Sequence, residues 1–78
     1  MLKSNYLFWN SDQLLRAFVD RYNLSIVEAA YQIGVTERTL HRVLNRQSKF
    51  NKLEKFALTV YLSEDYSQFI ENNKKNNF

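Results

Sequence analysis

Gly34 is the only glycine in a chain that has no proline, and the twenty-one residues around it, Ser25 to Asn45, admit few folds. The segment reads Ser25-Ile26-Val27-Glu28-Ala29-Ala30-Tyr31-Gln32-Ile33-Gly34-Val35-Thr36-Glu37-Arg38-Thr39-Leu40-His41-Arg42-Val43-Leu44-Asn45. It divides into two short helical stretches on either side of the glycine. Ser25, with Glu28 three positions on, forms a capping box that opens the first. Ala29, Ala30 and Ile33 then fall on its inner face. The chain must reverse within about three or four residues, which favours a residue free to take a positive φ, and Gly34 supplies it. Val35 points back toward the interior, and the Thr36 hydroxyl caps the next helix. Leu40, Val43 and Leu44 recur on the inner face of that second stretch. Two helices that cross steeply at short range need a small side chain at the contact, and Ala30 meets that need.

The remaining chain also reads as helix. Residues 1–10 are an N-terminal extension without a clear period. Asn10 or Ser11 caps a helix that runs to about Tyr22, with Leu14, Leu15, Phe18, Val19 and Tyr22 on one face and Asn23 as the stop. After the loop Arg46-Gln47-Ser48-Lys49-Phe50, Asn51 and Glu54 form a second capping box. Leu53, Phe56, Ala57, Val60 and Tyr61 then repeat at helical spacing, an amphipathic stripe expected to face the core. Ser63 is expected to cap a fifth helix, with Glu64 and Asp65 in its first turn and Tyr66, Phe69 and Ile70 as its apolar positions. The expected layout is an N-terminal extension at 1–10, one compact five-helix all-α domain at 11–71, and a disordered polar tail at 72–78. Hydrophobic residues make up 45% of the chain, enough to give so short a domain its core.

Two helices joined in this way are the sequence form of a helix-turn-helix, whose second helix enters the DNA major groove. The charge distribution agrees. Residues 37–55 carry Arg38, Arg42, Arg46, Lys49, Lys52 and Lys55 against Glu37 and Glu54, a surplus of four, while the formal charge of the whole chain is +3. The basic charge therefore sits on the second helix of the pair and the loop after it, the footprint expected of a phosphate-binding face.

Five short helices with the motif at the second and third resemble the DNA-binding domain of the lambda-repressor/Cro-like family, also called the xenobiotic-response-element family. The resemblance covers roughly residues 12–70. It rests on Ala29-Ala30, Gly34-Val35-Thr36, Thr39-Leu40, Val43-Leu44-Asn45, Leu53-Glu54-Lys55-Phe56-Ala57 and Leu62-Ser63-Glu64-Asp65. The chain departs from the family at Ile26, where members usually carry Gln or another polar residue, and in its aromatic lead segment. Residues 35–42 also resemble motifs of AraC-type and winged-helix regulators, but no wing hairpin is present to match.

Spacing puts Arg38, His41 and Arg42 on one face of the helix 36–45. The resemblance implies base contacts at Glu37, Arg38 and Arg42. Arginine suits guanine O6 and N7, and glutamate can accept from the cytosine amino group. Thr36, Asn45, Arg46, Ser48, Lys49 and Lys52 are the expected phosphate contacts. The alternatives are ordinary ones. Glu37 can simply stabilise a helix N-terminus, and Arg42–Glu37 or Arg38–Glu54 can be surface ion pairs. Tyr31 either covers the fold or touches a phosphate. Tyr6, Phe8 and Trp9 are open between core, dimer contact and partner site.

The expected function is sequence-specific transcription regulation, as a small cytoplasmic repressor of phage or mobile-element type. The expected partner is double-stranded DNA, as a pseudo-palindromic operator met by a homodimer. The alternative is a protein-interaction module, antitoxin-like or inhibitor-like, on the same scaffold. An enzyme is not expected. There is no cysteine, one histidine and no glycine-rich phosphate loop, so no catalytic residue, cofactor, metal or small-molecule substrate is expected. No apolar run approaches the length that spans a bilayer.

Overall fold

Capping chemistry sets where each helix begins. The computed structural model describes Tyr6 and residues 8–77, with side chains through Asn73, and these form five α-helices and no strand. Helix α1 is Ser11–Tyr22, α2 Ile26–Ile33, α3 Glu37–Leu44, α4 Lys52–Ser63 and α5 Ser67–Asn77. Asn10, Ser25, Thr36 and Asn51 are the N-cap residues of the first four. The boxes at Ser25–Glu28 and Asn51–Glu54 are closed in both directions, with bonds of 2.8 to 3.1 Å. Asn10 is joined by Gln13, whose Oε1 accepts the Asn10 N–H at 2.9 Å.

Helices α1 to α3 end on a residue in the left-handed region: Asn23 at φ 52°, Gly34 at 86° and Arg46 at 60°. Such a residue turns the following N–H groups back onto orphaned helix carbonyls. After α2, the N–H groups of Gly34 and Val35 both reach the Ala30 carbonyl, at 2.9 and 3.0 Å. A Cβ added at Gly34 would meet nothing within 4 Å, so the glycine is there for its backbone freedom and not for space. Gly34→Ala is therefore expected to cost about 1 kcal/mol, the left-handed penalty alone, and Gly34→Asn less. Chemical denaturation of the two variants measures this.

Helix α1 is the centre of the core. Its Leu14, Leu15 and Phe18 are fully buried, and it packs on α3 and α4. Tyr22 of α1, Ala29 and Ala30 of α2, Leu40 and Val43 of α3, Phe50 just before α4, Leu58 and Leu62 of α4 and Ile70 of α5 complete the cluster. Helices α1 and α4 run side by side in the same direction. At their starts the Ser11 hydroxyl accepts the Phe50 N–H at 2.9 Å. At their ends Arg21 Nη1 donates to the Leu62 carbonyl at 2.9 Å. The Tyr22 hydroxyl donates to the Tyr61 carbonyl, lies 3.1 Å from the Glu64 carbonyl and accepts the Tyr66 N–H at 3.2 Å. Burial pushes the Tyr61 phenol above its ordinary pKa, with the nearby Tyr22 adding to the shift.

The structure corrects three expectations. The stripe expected to bury α4 does so only in part: Tyr61 packs against the core, but Leu53 is 79% and Phe56 49% exposed, and the buried residues are Leu58, Thr59 and Leu62. Phe50, buried just before the helix, and the Asn51 cap fix its rotation, and Thr59 tolerates burial because its hydroxyl donates to the Lys55 carbonyl at 2.8 Å. Ser63 ends α4 instead of capping α5. The turn into α5 is held by Asp65, whose Oδ1 accepts from both the N–H and the hydroxyl of Ser67; these bonds hold the carboxyl below its ordinary pKa. The polar stretch expected as a tail is helical through Asn77, and Asn73 Nδ2 ties it to Gln32 Oε1 of α2 at 3.0 Å.

Candidate functional site

Helix α3 is held from one side only. Leu40 is fully buried and Val43 is 1% exposed, which locks the inner face. The outer face presents Glu37, Arg38, His41 and Arg42, all exposed. None of these four side chains has a hydrogen bond or ion pair among the described residues. The surface pairs weighed as alternatives, Arg42 with Glu37 and Arg38 with Glu54, are not formed; Glu54 Oε1 is occupied by the Asn51 N–H. Four polar or charged groups of low rotational restraint thus point to solvent from a helix whose position is fixed by its core face.

The expected phosphate contacts lie at the two ends of this helix. The Thr36 hydroxyl oxygen accepts the Thr39 N–H at 3.2 Å and lies 3.0 Å from the Thr39 hydroxyl, so it is committed mainly to the cap. Asn45 caps the other end, and the loop behind it carries Arg46, Ser48 and Lys49 up to Lys52 at the start of α4. The Arg46 N–H reaches the Val43 carbonyl at 3.0 Å and the Gln47 N–H the Arg42 carbonyl at 2.8 Å, closing the end of α3. The residue at the left-handed position of such a closure is usually glycine. Here it is Arg46, a strained choice costing on the order of 1–2 kcal/mol.

Sequence reasoning missed what holds this loop. Arg46 Nε lies 3.4 Å from Asp12 Oδ2, with the carboxylate side chain 10% and the arginine side chain 78% exposed. A cleft of about 310 Å³ separates the start of α1 from the loop, with Asp12, Arg46, Ser48, Lys49 and Lys55 among its lining residues. Asp12 therefore orients Arg46 through Nε and leaves the outer edge of the guanidinium in solvent. Asp12 and Arg46 are thirty-four positions apart, and no local pattern links them.

The aromatic lead divides. Trp9 is half-buried against the core with the Tyr6 ring edge-on at 4.9 Å, while Phe8 is 86% exposed. Tyr31 is half-exposed on α2. Among the described residues no group of three or more His, Cys, Asp or Glu side chains could hold a metal ion, and no helix is long and apolar enough to cross a membrane. Comparison of the chain with protein-family models, curated proteins and solved structures gave no match.

Proposed function

We propose that this protein is a sequence-specific DNA-binding regulator, a small repressor of phage or mobile-element type, that reads the major groove with α3. One observation carries the reading. A helix locked by Leu40 and Val43 turns four side chains, Glu37, Arg38, His41 and Arg42, to solvent beside a basic loop, and none of the four has a partner among the described residues. A major groove is about 12 Å wide and admits one helix, and arginines spaced by one turn meet successive base edges. The left-handed turn at Gly34, the small Ala30 and the five-helix order support a lambda-repressor-like arrangement.

Arg38, His41 and Arg42 read bases in this proposal, with Glu37 accepting from a cytosine amino group. Arg46, Ser48, Lys49 and Lys52, with the caps Thr36 and Asn45, contact phosphates. Lys49→Ala is expected to weaken binding to every sequence alike and to lower the slope of log K against log salt by about 0.9. Titrations at several salt concentrations check it. The reading as a whole is tested by selecting a randomised duplex pool on the folded protein at physiological salt. Enrichment of a motif is the expected result. No enrichment overturns the reading and favours the second one, a protein-binding module, for which the exposed apolar face of α4 and α5 is the specific observation.

A further inference from the structure

The stripe that fails to bury on α4 has not gone to waste in solvent at random. Leu53, Phe56 and Phe69 are 79%, 49% and 51% exposed; Phe56 and Phe69 line an open groove of about 360 Å³ between α4 and α5, and Leu53 lies one helical turn before Phe56 and Ala57. Phe56, Ala57, Val60, Tyr61, Tyr66 and Phe69 line it. We infer that this face seats a second copy of the chain, with α4 against α4 in an antiparallel two-fold pairing centred on Ala57.

The face carries both halves of a self-complementary contact. Leu53 is an apolar knob standing free of the core, and the groove flanked by Tyr61 and Tyr66 is a hole. In an antiparallel pairing through Ala57, the residue four positions before it meets the residue four positions after it. Leu53 of one copy then enters at Tyr61 of the other, and the reverse holds by symmetry. Ala57 is the small side chain at the centre that lets the two helices approach.

Charge runs the same way. Lys52 stands at the start of the face, and Glu64 and Asp65 stand at its end. Antiparallel pairing sets Lys52 of each copy against the acidic end of the other and opposes the helix dipoles favourably. A foreign partner would need neither the polarity nor the matched knob and hole. Taking about 150–250 Å² for a side chain of this size, the three most exposed residues leave roughly 350 Å² in water. The partly buried Ala57, Val60, Tyr61 and Tyr66 bring the face to at most roughly 500 Å² per copy, or about 1,000 Å² for the pair, the lower bound for a specific interface. An interface of that size is a weak one. It shares no residue with the base-reading Glu37, Arg38, His41 or Arg42; Lys52 alone stands in both, at the flank of the pairing and among the proposed phosphate contacts. The pairing stands on the apolar face alone; its use on a pseudo-palindromic operator rests on the regulator reading above.

Sedimentation equilibrium of the full chain without DNA tests it. Self-association below millimolar concentration is expected, and Leu53→Ser and Phe69→Ser, both at exposed positions, should each weaken it at least tenfold with the helical signal intact. The chain has no cysteine, so Ala57→Cys can crosslink only to its own symmetry copy. Under mild oxidation it should form disulfide-linked dimers much faster than Arg16→Cys on exposed α1. A monomer at millimolar concentration overturns the inference, and so does equal crosslinking at the two positions. A chain that dimerises but selects no DNA sequence keeps the pairing and removes the regulator reading; a monomeric chain that selects a half-site does the reverse.

Discussion

Replacing both Arg38 and Arg42 by alanine is expected to abolish base preference while leaving the fold intact. A bidentate arginine–guanine contact discriminates by about 1–3 kcal/mol, so two of them account for roughly 2–6 kcal/mol. At about 1.4 kcal/mol per tenfold, that is a loss of about 30-fold to more than 10,000-fold in the ratio of specific to random-sequence affinity. Affinity for random sequence falls much less, because only two of the local cations are removed. Stability should stay within about 0.5 kcal/mol, since both side chains are exposed and neither has a partner among the described residues. Competition between the selected duplex and a scrambled one measures the ratio. A double variant that keeps its preference shows that α3 is not the reader.

Tyr22→Phe is expected to be the most damaging single-atom change in the molecule. Its hydroxyl serves the carbonyls of Tyr61 and Glu64 and the N–H of Tyr66. The carbonyls belong to the end of α4, where a helix has no acceptor-satisfying turn left, and the N–H belongs to the link into α5. Removing the oxygen leaves the Tyr61 carbonyl and the Tyr66 N–H unpaired beside an aromatic cluster, while the Glu64 carbonyl keeps Arg21 Nη2 at 3.3 Å; the Phe18 and Tyr61 rings lie 5.0 Å apart, and those of Tyr61 and Tyr66 5.4 Å. Unsatisfied buried groups cost about 1–3 kcal/mol each, and part of this site reaches water, so about 3 kcal/mol is expected for the whole. In a domain of this size that lowers Tm by roughly 12–24 °C. A thermal melt followed by circular dichroism reads it. A Tm within a few degrees of the parent would show that water replaces the hydroxyl.

The same residues show where the sequence is legible. Ser25 with Glu28, Asn51 with Glu54, Thr36 and Asn23 are local signals, and each does in the structure what its type and spacing imply. A cap needs only groups within about three residues, so a linear pattern contains it. Gly34 belongs with them, because positive φ is a property of one residue. Arg46 does not, since an arginine gives no sign that it will end a helix in the left-handed region.

Helix α4 shows the limit. It carries two apolar rows, Leu53, Phe56, Ala57 and Val60 on one side and Leu58 and Leu62 on the other. Periodicity finds both rows and cannot say which meets the core, because that depends on the rotation fixed by Phe50 and by the contact with α1. The pairing of Asp12 with Arg46 and the hub at Tyr22 span thirty-four to forty-four positions and leave no local trace.

The sequence by itself determined the five helices, nearly all of their starts, the turn at Gly34 and the basic face of α3, because propensity, capping and charge act within a turn or two of chain. Only the tertiary structure decided which side of α4 is buried, how the loop after α3 is held, and that a continuous apolar face is left on α4 and α5. Those outcomes depend on packing between residues far apart in the chain, where a rotation of one helix exchanges a core side chain for a surface one.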